Sequence, residues 1–206
     1  MEDLKKVFAG KLLGIKAIKL QPNDPFTWAS GWKSPFYCDN RKTLSFHDVR
    51  SFVKLELVHA VLKNFPEATA VAGVATGAIA QGMLVADELA LPYAYVRPKP
   101  KDHGMKNQIE GELPQGAKVV GVEDLISTGG SSLKAVAALR EAGFEVVGMV
   151  ASYTYGFPVA EEAFREAGVK LVTLTDYEHV VEKALETGYI KETDVPMLHE
   201  WRKDPA

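Results

Sequence analysis

The sequence predicts an α/β fold: a mainly parallel, twisted sheet with helices on both faces, preceded by a small set of N-terminal elements. Five short apolar segments rich in β-branched or aromatic residues read as strands buried on both faces: AVAGVA from Ala70, YAYV from Tyr93, KVVGVE from Lys118, FEVVGMVAS from Phe144 and KLVTLT from Lys170. Helical stretches at Ala78 to Leu89, Ser131 to Ala142 and Pro158 to Ala167 alternate with most of them, which implies a parallel sheet covered on both sides. No repeat or Pro-rich linker divides the 206 residues, so the chain reads as one domain.

At the N-terminal end Leu4, Val7, Phe8 and Leu12 recur at helical spacing. A hairpin is expected next, with Phe26-Thr27-Trp28 and Ser34-Pro35-Phe36-Tyr37 as its limbs and Ala29-Ser30-Gly31 in its turn. Ser45 with Asp48 resembles a capping box, after which Val49, Phe52, Val53, Leu57 and Val61 continue one helical face as far as Pro66. The interval from Pro98 to Gly116 separates two strands without a helix of its own, and a loop of about 15 residues or more in a compact domain is often a lid or binding loop. Arg97, Lys99, Lys101, His103 and Lys106 put five potential cations into ten positions there, with Gly104 as a hinge-like joint.

Composition narrows the function. With 47% hydrophobic and 25% charged residues the chain has the make-up of a soluble globular domain. The formal net charge of -3 gives no broad footprint for nucleic acid or an anionic membrane, so any anion chemistry is local. The single Cys38 forms no intrachain disulfide, and MEDLKKVF carries charges where a signal peptide is apolar, so a cytoplasmic protein is expected. The window from Ala70 to Ala86 is the most apolar but contains Gln81 and falls short of the roughly 20 residues of a membrane helix.

The chemistry concentrates in VVGVEDLISTGGSS, Val119 to Ser132. An apolar strand ends at Glu123-Asp124, a loop follows, and Ser131 opens a helical pattern containing Leu133, Val136, Ala137 and Leu139. Backbone N–H groups of such a loop and of a helix start favour a phosphate, and Gly129-Gly130 lets the backbone approach it. Ser127, Thr128, Ser131 and Ser132 offer hydroxyl donors as well. The lysine of GxxxxGK[ST] and the spacing of GxGxxG are both missing, which disfavours a triphosphate or a dinucleotide. Two carboxylates at the strand end suit vicinal hydroxyls or a magnesium-bearing ligand, so a sugar diol with a phosphate fits the combination.

This stretch resembles the phosphoribosyl-pyrophosphate signature of type I phosphoribosyltransferases, and the resemblance implies that family's fold with an N-terminal hood. It implies that Glu123 and Asp124 hold the ribose 2- and 3-hydroxyls while Leu125, Ile126, Ser127, Thr128, Gly129, Gly130 and Ser131 wrap the 5-phosphate. The run from Arg97 to Gly104, followed by Asn107-Gln108-Ile109-Glu110-Gly111, is similar to the mobile catalytic loop of the orotate phosphoribosyltransferase family. That resemblance implies transfer of a 5-phosphoribosyl group from phosphoribosyl pyrophosphate to orotate. Arg97, Lys101 and His103 would contact the pyrophosphate, Lys101 as the principal catalytic lysine, in a homodimer whose loop reaches the neighbouring subunit's site. Residues 1–40 would form the base-binding hood and 98–116 the mobile loop. Phe36, Tyr37 and Ser127 correspond to the orotate-binding positions, although Phe36 and Tyr37 read from the residues alone are core aromatics.

No His, Cys, Asp and Glu spacing resembles a metal cage, so magnesium is expected to arrive on substrate oxygens. In the loop Ala72-Gly73-Val74-Ala75-Thr76-Gly77-Ala78 small residues suit close approach to pyrophosphate, and they also suit tight helix packing. Three departures from the family pattern stand out. Pro98 and Ala29 replace lysines found in many or some members, and Tyr153-Thr154-Tyr155-Gly156 lacks an arginine that some members carry for the orotate carboxylate. Because the signature is shared more widely, a purine-base transferase and a non-catalytic ligand-binding regulator remain the alternatives.

Overall fold

The computed structural model describes residues 3–22, 24–27, 33–99, 108–203 and 205. In chain order it contains α1 (Leu4–Gly14), β1 (Ile18–Leu20), β2 (Phe26–Thr27), β3 (Lys33–Ser34), β4 (Phe36–Cys38), a 3-10 segment (Asn40–Ser45), α2 (His47–Asn64), β5 (Ala70–Val74) and α3 (Ile79–Leu89). It continues with β6 (Tyr93–Val96), β7 (Ile109–Glu110), β8 (Lys118–Ile126), α4 (Gly130–Glu141), β9 (Glu145–Thr154), α5 (Pro158–Glu166), β10 (Leu171–Asp176), α6 (Tyr177–Glu186), a 3-10 turn (Glu192–Asp194) and α7 (Val195–Lys203).

The main sheet has the order β10-β9-β8-β5-β6-β7. Its five long strands are the five expected ones, and each neighbouring pair among them is parallel. β7 is an addition within the Pro98 to Gly116 interval and pairs antiparallel with β6, Tyr95 opposite Glu110. Both faces of the sheet are covered. Val71, Val120, Val122 and Val150 pack into the core formed with α1, α2, α3 and α6, while Ala70, Ala72, Val119 and Ala151 face the core shared with α4 and α5. Alternate residues of one strand thus meet different helical layers, which is why these strands read as nearly continuous apolar runs.

Two local expectations are corrected. Phe26–Thr27 does pair antiparallel with Lys33–Ser34. Phe36–Cys38 leaves that hairpin and pairs instead with Ile18–Leu20, Leu20 opposite Phe36. The redirection sits at Pro35, which has no N–H to continue a ladder, and Ser34 Oγ closes the bend by accepting from Phe36 N at 3.1 Å and donating to Phe36 O at 2.7 Å. Ser45 does not cap α2 either. It ends the 3-10 segment, and Phe46 is the N-cap residue, without a side-chain cap bond.

The C-terminal helices α6 and α7 extend beyond what the sequence pattern announced. Asp176 caps α6 by accepting from His179 N. α7 brings Trp201 to an aromatic cluster around the fully buried Phe36, whose ring centroid lies 5.8 Å from Tyr153, 5.3 Å from Tyr155, 5.1 Å from Tyr177 and 6.5 Å from Trp201. Removing that ring would open a cavity that its four aromatic neighbours have little freedom to fill. Phe36→Ala is expected to destabilise the protein by about 3–5 kcal/mol, read as a lower midpoint in equilibrium urea unfolding; an unchanged midpoint would contradict its place in the core.

Candidate active site

The chain passes from β5 outward to β6 and then returns to the other side of β5 as β8. The sheet therefore reverses its winding between β5 and β8, and the loops leaving their carboxyl ends diverge around a crevice. A cavity of about 380 Å3 lies there, lined by residues of the 3-10 segment and its approach (Cys38 to Arg41), of the β5–α3 loop (Val74 to Gly77), by Glu123, Asp124 and Leu125, and by Ser131. The Ala75–Thr76 peptide in that loop is cis. Gly77 is pressed against the acidic pair: a Cβ built on it would overlap the Asp124 carboxylate.

Glu123 is 4% exposed, and both of its oxygens are engaged. Oε2 accepts from Ser132 Oγ at 2.8 Å and Oε1 from the Asp124 N–H at 3.0 Å. Burial, followed by the adjacent Asp124 charge, pushes the Glu123 carboxyl up to about 8. Burial also raises Asp124, against the opposing pull of hydrogen bonds and of the Arg41 charge. Two carboxyls side by side in a desolvated site do not both ionise readily, so Glu123 holds its proton to higher pH than a free glutamate does. Ser132, expected as a phosphate donor, is instead buried and gives its hydroxyl to Glu123.

The loop after β8 turns at Gly129, whose φ of 80° is left-handed, and α4 then starts at Gly130 with no side-chain cap bond. Its first N–H groups are thus not taken by a capping side chain and are available to an anion. Within this loop Thr128, Gly130 and Ser131 are exposed, Leu125 and Ser127 half-buried, and Ile126 fully buried in the core, which leaves Ile126 only its backbone for a ligand.

On the other side of Leu125 a cavity of about 480 Å3 is lined by Phe26, Thr27, Tyr37, Cys38, Leu125, Ser127 and Tyr155. Ser127 and Tyr37 are therefore brought together, while the Phe36 ring points into the aromatic core and offers no face to this cavity. A third cavity, of about 330 Å3, shares Val74, Ala75 and Ser131 with the acidic one. Arg97, Lys99 and Lys134 line it, so a basic recess adjoins the acidic crevice. Arg97 is anchored where β6 meets β7: its N–H donates to Gln108 O at 2.8 Å and its Nη1 lies 3.4 Å from Glu110 Oε1. Lys101 and His103, with Lys106 and Gly104, lie outside the described residues.

Sequence reasoning missed Asn40, Arg41 and Lys134 as cavity residues. The Asp39-Asn40-Arg41 run directly after Tyr37-Cys38 was the available signal for the first two, and Lys134 has none beyond its position one turn into α4. A larger cavity of about 540 Å3 at the β10 edge is not the preferred site, because its cations are paired: Lys5 with Asp176, Arg165 with Glu162 and Arg202 with Glu178. Among the described residues no group of three or more His, Cys, Asp or Glu side chains is arranged to hold a metal ion, and no helix is long and apolar enough to cross a membrane.

Residues 57–186 match the family model described as a phosphoribosyl transferase domain. The chain is 69% identical over 206 residues to the orotate phosphoribosyltransferase of Phocaeicola vulgatus, covering 100% of this chain and 97% of that relative. The chain belongs to the orotate phosphoribosyltransferase family. A Listeria monocytogenes orotate phosphoribosyltransferase is 53% identical over 203 residues, covering 98% of this chain and 97% of that relative. The crystal structure of orotate phosphoribosyltransferase from Aeropyrum pernix superposes with a TM-score of 0.78 at 30% identity, covering 89% of this chain and 99% of that one.

In this orotate phosphoribosyltransferase an arginine does meet the turn after β9, but it comes from the C-terminal helix and serves the backbone. Arg202 reaches this turn from α7 and donates from Nε to Tyr155 O at 2.9 Å and from Nη2 to Gly156 O at 2.8 Å. Its guanidinium is occupied by these carbonyls and by Glu178, and it does not line the cavity beside Tyr37 and Ser127.

Two measurements test this geometry. Gly77→Ala should lower kcat/KM for phosphoribosyl pyrophosphate about tenfold or more by displacing the Asp124 carboxylate, with a much smaller effect on the thermal midpoint; parent-like kinetics would refute the close approach. Glu123 binds its proton more tightly in the folded protein than in the unfolded chain between its ordinary value of 4.5 and about 8. The stability this confers is complete below that window and is lost as pH rises through it. Thermal midpoints of the ligand-free protein should therefore fall across this range, and Glu123→Gln should remove most of that slope.

Proposed function

We propose that the chain transfers the 5-phosphoribosyl group from phosphoribosyl pyrophosphate to N1 of orotate, giving orotidine 5-monophosphate and pyrophosphate in pyrimidine biosynthesis. The observation that carries this reading is the acidic pair beside an uncapped helix start at the reversal point of the sheet, in a chain 69% identical to an orotate phosphoribosyltransferase. Asp124 and Glu123 take the ribose hydroxyls, Asp124 as the more accessible acceptor. The segment from Leu125 to Ser131 wraps the 5-phosphate, with Ile126 acting through its backbone. Ser127 and Tyr37 meet the base, and Phe36 supports that wall from behind.

Breaking the bond from ribose carbon 1 to pyrophosphate leaves an oxocarbenium-like sugar and adds charge to the leaving group. Arg97, Lys101 and His103 stabilise that developing charge, Lys101 as the principal cation. The 98–116 loop closes over bound substrate and keeps water from the sugar cation, each loop serving the neighbouring subunit of a homodimer. Residues 1–40 form the hood over the base. A cytoplasmic location fits the single Cys38, which can form no disulfide within the chain.

Two adjacent carboxyls without a third partner do not make a protein cage, but they suit a magnesium ion that keeps water and substrate oxygens as ligands. When bound, the ion would neutralise pyrophosphate charge. Asp124 is the group best exposed to meet its hydration shell or the diol beneath it.

The direct test is a steady-state assay of orotate consumption with phosphoribosyl pyrophosphate and magnesium, run against adenine, hypoxanthine and xanthine. Orotate should be the base consumed, with pyrophosphate released in equal amount. Lys101→Ala should lower turnover by about 100-fold or more with little change in the thermal midpoint; turnover near that of the parent would remove Lys101 from this role.

A further inference from the structure

Polar side chains are rarely buried without a purpose that offsets their desolvation, and here they cluster. Among the described residues the buried polar or charged side chains are Ser34, Asn40, Thr43, Gln81, Glu123, Ser132, Ser152 and Thr175. All but Ser34 and Thr175 belong to two hydrogen-bonded runs that end on the acidic pair. The short run is Ser132 to Glu123. The long run starts on β9, where Ser152 Oγ donates to Gln81 Oε1 at 2.9 Å, and Gln81 Nε2 lies 3.4 Å from Thr43 Oγ1. Thr43 Oγ1 donates to Asn40 O at 2.6 Å, and Asn40 Nδ2 donates to Asp124 O at 2.6 Å.

We propose that Asn40 is a positioning residue of the phosphoribosyl site, fixing the Asp124 carboxylate by holding that residue's carbonyl from the hood side. The proposal rests on the phosphoribosyl reading of this crevice. The 1% exposed carboxamide is used at both ends, since its Oδ1 accepts from Cys38 Sγ at 3.4 Å while its Nδ2 serves Asp124. Only a side chain that both donates and accepts fits these two neighbours. Gly77 lies against the Asp124 carboxylate oxygens, so the residue is held through its carbonyl by Asn40 and bounded at its carboxylate by a glycine. The route through Thr43, Gln81 and Ser152 fastens this grip to buried positions of α3 and β9.

The role makes Asn40 depend on Asp124, and a double-mutant cycle exposes that dependence. In the parent, Asn40→Ala should lower kcat/KM for phosphoribosyl pyrophosphate about tenfold or more while KM for orotate changes much less. In an Asp124→Asn background the same change should cost less than about twofold. Equal losses in both backgrounds, or no loss in the parent, overturn the proposal. A parent protein that releases no pyrophosphate with orotate overturns the underlying site reading instead, and the proposal with it.

If Asn40→Ala does not fold, Asn40→Asp carries the test. Its carboxylate cannot donate to the Asp124 carbonyl, but the protonated carboxyl can. Its kcat/KM relative to the parent at the same pH should therefore recover as pH is lowered, and a ratio that does not change with pH overturns the proposal.

Discussion

Two carboxyl groups on adjacent residues near the carboxyl end of a buried parallel strand are difficult to accommodate, and much of this structure answers that difficulty. Desolvation opposes ionisation of both Glu123 and Asp124, and the Asp124 charge adds to it at Glu123. The fold meets this with donors and with space. Ser132 comes from the first turn of α4, the Asp124 N–H from the strand itself and Asn40 from the hood, while Gly77 yields the volume a side chain would take. The hood, the β5–α3 loop and α4 are thereby drawn to one point. They arrive from separate parts of the sequence, so the acidic pair acts as a junction as well as a binding surface.

Charge is divided around that junction, with Arg41 on the acidic side already paired to Asp39. The acidic crevice and the basic recess of Arg97, Lys99 and Lys134 share Val74, Ala75 and Ser131 as a common wall. A ligand that carries hydroxyls at one end and an anionic group at the other can span both without bringing its anion against the carboxyls. The antiparallel pairing of β7 with β6 has a matching role, since it fixes where the long basic segment leaves and re-enters the sheet.

The parts of the fold that were readable in the sequence are those set by local pattern. Strands buried on both faces must be apolar throughout, so β5, β6, β8, β9 and β10 announced themselves. The acidic strand end and the glycine turn were visible because a phosphate loop needs those residue types in that order. Contacts decided at long range were not. Pro35 broke the expected hairpin and sent Phe36 to pair with Leu20, a choice that depends on the aromatic pocket waiting for its ring. Ser132 has the same local setting as Ser131, yet one faces the crevice and the other faces Glu123, because successive helical residues point about 100° apart. Asn40 looked like an ordinary polar residue near a turn, and α7 carried too little apolar periodicity to stand out before Phe36, Tyr155 and Tyr177 were seen to receive Trp201.

The aromatic cluster also imposes an order on biosynthesis. Phe36 is made early and Trp201 near the end of the chain, yet their rings lie nearly parallel, 6.5 Å apart, with Tyr153, Tyr155 and Tyr177 packed nearby. Such widely separated partners close late, because the loop between them must be ordered first. On the ribosome the parallel strands and the glycine turn can be assembled while α7 is still unsynthesised. A chain that stops before α7 would lack Trp201, and with it the ring that closes the wall beside Phe36, Tyr155 and Tyr177.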